Sequence, residues 1–165
     1  MYCASWRVQP QRSWAGRSTP DRTPSPWSTC QAAATTNLGS ALRVAGRFAE
    51  ASNAFEMALR AFRSIGDRRG EAAALTSLGN ALLQEGRRDA AHSAYTQALE
   101  IRENLEDWHG IGHTLHNLAL VHHAGHNFST ARATWARAAK AYHRAGASDQ
   151  SARAAGAAIG HRDTG

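Results

Sequence analysis

From residue 31 onward the chain repeats itself every forty residues without a gap, and a period of that length admits few architectures. The stretch QAAATTNLGSAL at 31–42 returns as EAAALTSLGNAL at 71–82 and, more loosely, as IGHTLHNLALVH at 111–122. Blocks 31–70 and 71–110 are identical at sixteen positions. Among these are Leu38/Leu78, Gly39/Gly79, Leu42/Leu82, Gly46/Gly86, Ala51/Ala91, Ala58/Ala98, Leu59/Leu99 and Asp67/Asp107. The third block, 111–150, keeps Leu118, Ala131 and Ala138 and sets Trp135 opposite Phe55 and Tyr95. A unit copied in this way cannot bury its apolar face alone, so neighbouring copies must stack into one continuous core.

Each block divides into two helices around a glycine. In the second, Leu75, Leu78, Leu82 and Leu83 recur at helical spacing, Gly86-Arg87 interrupts, and Ala91, Ala94, Tyr95, Ala98 and Leu99 resume the pattern. Gly86 is suited to the left-handed conformation that ends a helix; in the third block the turn glycine is displaced to Gly125. Small residues at 39/79/119, 51/91/131 and 58/98/138 let two backbones approach, and the aromatic at 55/95/135 wedges between them. Asp67 and Asp107 are placed to cap the helix that follows each. Three helix pairs are therefore expected in repeats 31–70, 71–110 and 111–150 of a unit spanning 30–160. A partial capping helix follows at 151–160, rich in alanine and poor in leucine, and then a disordered tail at 161–165.

All four prolines fall within the first 26 residues, in a stretch rich in Ser, Thr and Arg. Residues 1–29 read as a disordered leader, although Trp6, Trp14 and Trp27 are unusual there, and Ser28 with Gln31 makes a capping box for the first helix. The net charge of +6 invites a nucleic-acid reading. Its distribution argues against one: the forty-residue blocks carry +3, −4 and +3 in turn, so an acidic middle would repel a phosphate backbone laid across the chain. Lys140 is the sole lysine against 18 arginines, a bias that reads as a GC-rich coding sequence. Two cysteines, Cys3 and Cys30, do not make a disulfide framework. No window reaches the roughly 18 apolar residues of a membrane span, and the N-terminus has no signal-peptide core. The cytoplasm is the expected compartment.

The pairs Leu38-Gly39, Leu78-Gly79 and Leu118-Ala119, followed by Ala51/91/131, Phe55/Tyr95/Trp135 and Ala58/98/138, resemble the tetratricopeptide repeat signature over residues 31–150. Departures from it are Thr35, Leu75 and Leu115 at the usual first-helix aromatic, Leu42, Leu82 and His122 at the later one, and no closing proline. The long period is similar to that of kinesin light chains, LGN-type polarity scaffolds and the C-terminal arrays of actinobacterial regulators. The resemblance implies an all-α, right-handed α-solenoid of antiparallel helix pairs whose first helices line a concave peptide-binding groove. On that basis the groove positions are Ala33, Thr36, Asn37, Ser40 and Arg43 in the first repeat. The second supplies Ala73, Thr76, Ser77, Asn80, Leu83 and Gln84, and the third His113, His116, Asn117, Leu120 and His123.

A bound peptide brings unsatisfied amides, and asparagine offers both a donor and an acceptor, so Asn37, Asn80 and Asn117 are candidates to pair with its backbone. Arg43 is the one cation among these positions, so the chaperone-type carboxylate clamp is not expected. Six histidines between 109 and 126 raise a metal question, with His122 and His126 an i, i+4 pair, but no HExxH or CxxC motif accompanies them and no metal or cofactor is expected. No phosphate loop, nucleophile motif or catalytic carboxylate pair is present. The expected function is a non-catalytic module that binds a peptide or partner protein, as in the tail of a bacterial regulator. Alternatives are self-association through unsealed ends of the stack and a histidine-based metal or pH sensor.

Overall fold

The computed structural model describes residues 26–160 as seven helices: α1 (Pro26–Val44), α2 (Phe48–Ile65), α3 (Arg68–Gln84), α4 (Arg88–Asn104), α5 (Trp108–Ala124), α6 (Phe128–Arg144) and α7 (Ser148–Gly160). No strand occurs among the described residues. The leader up to residue 25 and the tail at 161–165 lie outside them. Helix α1 is described from Pro26, so residues 26–29 of the expected leader are helical. At the other end α7 begins at Ser148, in step with the helices before it.

That step is twenty residues. Left-handed backbone occurs at Gly46, Gly66, Gly86, Glu106, His126 and Gly146, with φ between 52° and 79°. At each, the next amide reaches back to the carbonyl five residues earlier, as from Asp67 to Phe62 at 3.0 Å and from Asn127 to His122 at 2.9 Å, the bond that closes a Schellman turn. The third-repeat turn is thus not displaced: His126 takes the left-handed position, and Gly125 before it has an ordinary φ of −89°. Helix length and docking hold the phase, and the local residue yields. Asp67 and Asp107 cap α3 and α5, their Oδ1 atoms accepting from Gly70 N and Gly110 N at 2.9 Å each.

Within each pair the second helix presses a ring onto a small residue of the first. A Cβ placed on Gly39 would lie 2.8 Å from the Phe55 ring, and one on Gly79 would lie 2.7 Å from Tyr95. The third pair makes the same contact region from Ala119 and Trp135, both buried. Consecutive helices pack on one another throughout, and the first helices also touch, α1 with α3 and α3 with α5. Between the first two repeats, Glu71 is buried and bound by Arg63 at 2.8 Å and by Arg68.

Candidate functional site: the wall of first helices

Helices α1, α3 and α5 form one wall, and the positions expected to face a ligand divide into three groups. Ala33, Asn37, Ser40 and Arg43 on α1, Ala73 and Gln84 on α3, and His113 and Leu120 on α5 are exposed. Thr36, Ser77, Asn80, Leu83, His116 and His123 are half-buried. Thr76 and Asn117 depart from the expectation because both are buried. The Thr76 hydroxyl donates to Ala72 O at 2.9 Å, within its own helix. Thr36 and Ser40 bond back in the same way, to Ala32 O at 2.7 Å and Thr36 O at 3.0 Å. Their hydroxyl protons are committed to the helix and leave only acceptor capacity for a ligand.

The asparagines do not form a free ladder. Tyr95, buried on α4, donates from its hydroxyl to Asn80 Oδ1 at 2.6 Å, and Asn117 donates to the same oxygen from Nδ2 at 3.2 Å across the seam between α3 and α5. Burial pushes the Tyr95 phenol well above its ordinary pKa, so it remains a donor. Asn80 Oδ1 is thereby filled by two donors, while Asn80 Nδ2 and Asn117 Oδ1 keep no partner among the described residues. Spacing places Tyr95 in the core; its hydroxyl, which Phe55 and Trp135 lack, is the signal that this repeat needs a polar partner there.

A second residue outside the expected set is Arg102, at the end of α4. Its side chain is mostly buried, 3.3 Å from Asp107 Oδ2, and it donates to Thr76 Oγ1 at 3.4 Å. The equivalent positions hold Phe62 and Tyr142. The arginine stem therefore fills an aromatic slot and carries its charge to the back of the wall. Burial lowers its pKa, and Asp107 opposes that shift.

The histidines contact other rings. His122 stands edge-on to His92 at 5.3 Å, His123 lies near Phe128 and Trp135, His116 near Trp135, and His126 against Phe128. The i, i+4 pair His122 and His126 thus packs on different partners. Among the described residues no three His, Cys, Asp or Glu side chains lie close enough to hold a metal ion. Loss of hydration on the packed side of each ring holds His113, exposed overall, and half-buried His116 below the ordinary imidazole pKa, and for His113 the nearby Arg102 adds to the effect. Near neutral pH both are uncharged, so the third-repeat part of the wall offers imidazole nitrogens and apolar surface instead of cations.

No described helix is long and apolar enough to cross a membrane. No curated protein matches the chain. Among solved structures, BtubC (BKLC) from P. vanneervenii superposes with a TM-score of 0.63, covering 84% of this chain and 68% of that one at 15% identity, a likeness of fold. Residues 30–104 match the family model of the tetratricopeptide repeat, which spans the first two helix pairs. Through those residues the chain resembles the tetratricopeptide repeat family, and the same helix-pair architecture continues through α5, α6 and α7.

Proposed function

We propose that the wall of first helices binds an extended segment of a partner protein and catalyses nothing. Repeats of this family typically mediate protein–protein interaction without catalysis. The observation that carries the reading here is the half-satisfied Asn80 amide at the centre of the wall. Half-buried Asn80 keeps its N–H donors, its oxygen held by Tyr95 and by the buried Asn117, while Thr36 and Ser40 keep acceptor capacity. A peptide backbone has the complementary needs, a carbonyl to be bonded and an N–H to be accepted, whatever its side chains. Leu83, half-buried, and Leu120, exposed, add apolar surface on the same two helices. With His113 and His116 neutral, such binding depends little on charge.

Panning a random peptide library on the full chain and measuring the selected ligand by calorimetry tests this. Gln84→Ala and Leu120→Asp alter exposed residues and leave the fold intact. They should weaken the ligand by about tenfold or more, with little change between about 0.05 and 0.5 M salt. A ligand held equally by wild type and both variants ends the assignment.

The α1 edge favours a second reading, self-association. Trp27, Leu38 and Val44 are all exposed large apolar residues on that helix. Light scattering after size exclusion, at low and high salt, decides it: a monomer throughout removes it.

A further inference from the structure

Away from the first-helix wall, α6 carries Arg132, Arg137, Lys140 and Arg144 and not one carboxylate. The spacing 137, 140, 144 puts three of these cations on one helical face. They stand over a cleft of about 200 Å³ whose floor is Trp108, Ile111 and Leu115 of α5 with Ala141 of α6. Those α5 residues recur at i, i+3, i+7, on the side of the helix opposite His113, His116 and Leu120. A second cleft of about 450 Å³, between α6 and α7, shares Lys140 and Arg144 as its wall and reaches Ser151.

The charge along this edge is unbalanced. Glu103 is the only carboxylate lining the first cleft, and it meets Arg137 at 3.9 Å with both side chains more than half exposed, a pair worth little in water. The Arg144 guanidinium lies 4.6 Å from the centre of the Trp108 ring, placing a cation over the apolar floor. Lys140 makes no ion pair among the described residues. The cleft one repeat earlier is built differently. There the positions equivalent to Arg137, Lys140 and Arg144 are Gln97, Glu100 and Asn104, and its rim Arg63 is held by the buried Glu71 at 2.8 Å.

We infer that the α4–α5–α6 cleft is a second binding site, which takes an acidic peptide segment carrying one bulky apolar side chain. The carboxylates pair with Arg137, Lys140 and Arg144, and the apolar side chain seats on the half-buried Trp108, over the buried Ile111 and Leu115. Nucleic acid would meet the cations but leave the floor uncovered, and a basic segment would be repelled. The site is independent of the peptide reading of the first-helix wall.

The sole lysine makes a direct test available on the full chain. The probe is a fluorescein-labelled heptapeptide with phenylalanine at the centre and glutamate or aspartate elsewhere. Its binding is followed by anisotropy, and protection of Lys140 from an amine-reactive ester is followed by mass spectrometry. The expected result is saturable, salt-sensitive binding with Lys140 protected and the α-amine still reactive. Lys140→Glu with Arg144→Glu should weaken the probe by about tenfold or more, while Arg60→Glu and Leu120→Asp leave it unchanged and the melting curves match. Several outcomes overturn the inference: no saturation, Lys140 labelled equally with and without probe, or equal affinity for the double variant. Equal affinity for a probe with alanine in place of phenylalanine also sinks it, and so does displacement of the probe by a thymidine oligonucleotide in preference to unlabelled peptide.

Discussion

Leu38 and Leu78 hold the same place in consecutive copies of one repeat, yet Leu38 is 53% exposed and Leu78 only 7%. Along the same faces Gln31, Ala34 and Ala41 of α1 are exposed, while Glu71, Ala74 and Ala81 of α3 are buried. The helices match in pattern; their neighbours differ. Against α3 stands the second helix of the preceding repeat, and no described helix stands against that face of α1. In a stacked repeat, burial belongs to the seam between copies and not to the copy.

The largest expected effect follows from that difference. Leu78→Ala should cost about 2–4 kcal/mol by opening a cavity in the seam, and Leu118→Ala a similar amount, whereas Leu38→Ala should cost less than about 1 kcal/mol. Urea titrations followed by circular dichroism compare the three; equal losses at Leu38 and Leu78 would mean that something covers α1 in solution.

Turns should erase the difference between edge and interior. Gly46, at the edge, and Gly86, inside, have φ of 74° and 79°, and a Cβ added to either meets nothing within 4 Å. Alanine at either should cost about 1 kcal/mol, by backbone strain alone. Conversely, Glu106→Gly and His126→Gly should each stabilise by about 1 kcal/mol, since both already hold left-handed backbone. Unequal costs at Gly46 and Gly86 would show that the seam strains the turns.

The smallest effect concerns pH. Burial lowers the pKa values of His113, His116 and His122, so the folded chain resists their protonation. Below about pH 6.5 the unfolded chain takes up more protons than the folded one, and stability drops as the solution is acidified. The melting temperature should fall by a few degrees, roughly, between pH 7.5 and 5.5. His113→Gln with His116→Gln should flatten that slope. The first repeat holds Ala33 and Thr36 at the equivalent positions and contributes nothing to it; an unchanged slope in the double variant would place the acid sensitivity elsewhere.

Much of the architecture was legible in advance. The small residues facing rings, the aspartate caps and the helix pairs all appear where the repeat places them, because each depends on contacts within forty residues. The wall was legible only in outline. Asn117 and Thr76 occupy register positions expected to face a ligand, yet the seam to the neighbouring helices buries them, and no periodicity reports which polar residue will find a partner 37 positions away. Arg102 was likewise hidden, because its charge marked it as surface although its stem replaces Phe62 and Tyr142 in a packed slot.

By itself the amino-acid sequence determined the number of helices, the close pairing of Gly39 with Phe55 and Gly79 with Tyr95, and the two aspartate-capped starts. These follow from short-range sterics and hydrogen bonds that each copy carries with it. Only the tertiary structure decided that Leu38 is bare and Leu78 sealed, that His126 and not Gly125 takes the left-handed turn, and that Asn80 joins Tyr95 to Asn117. These depend on how one copy docks on the next, and docking sets burial and helix phase for residues whose local sequence is indifferent to both.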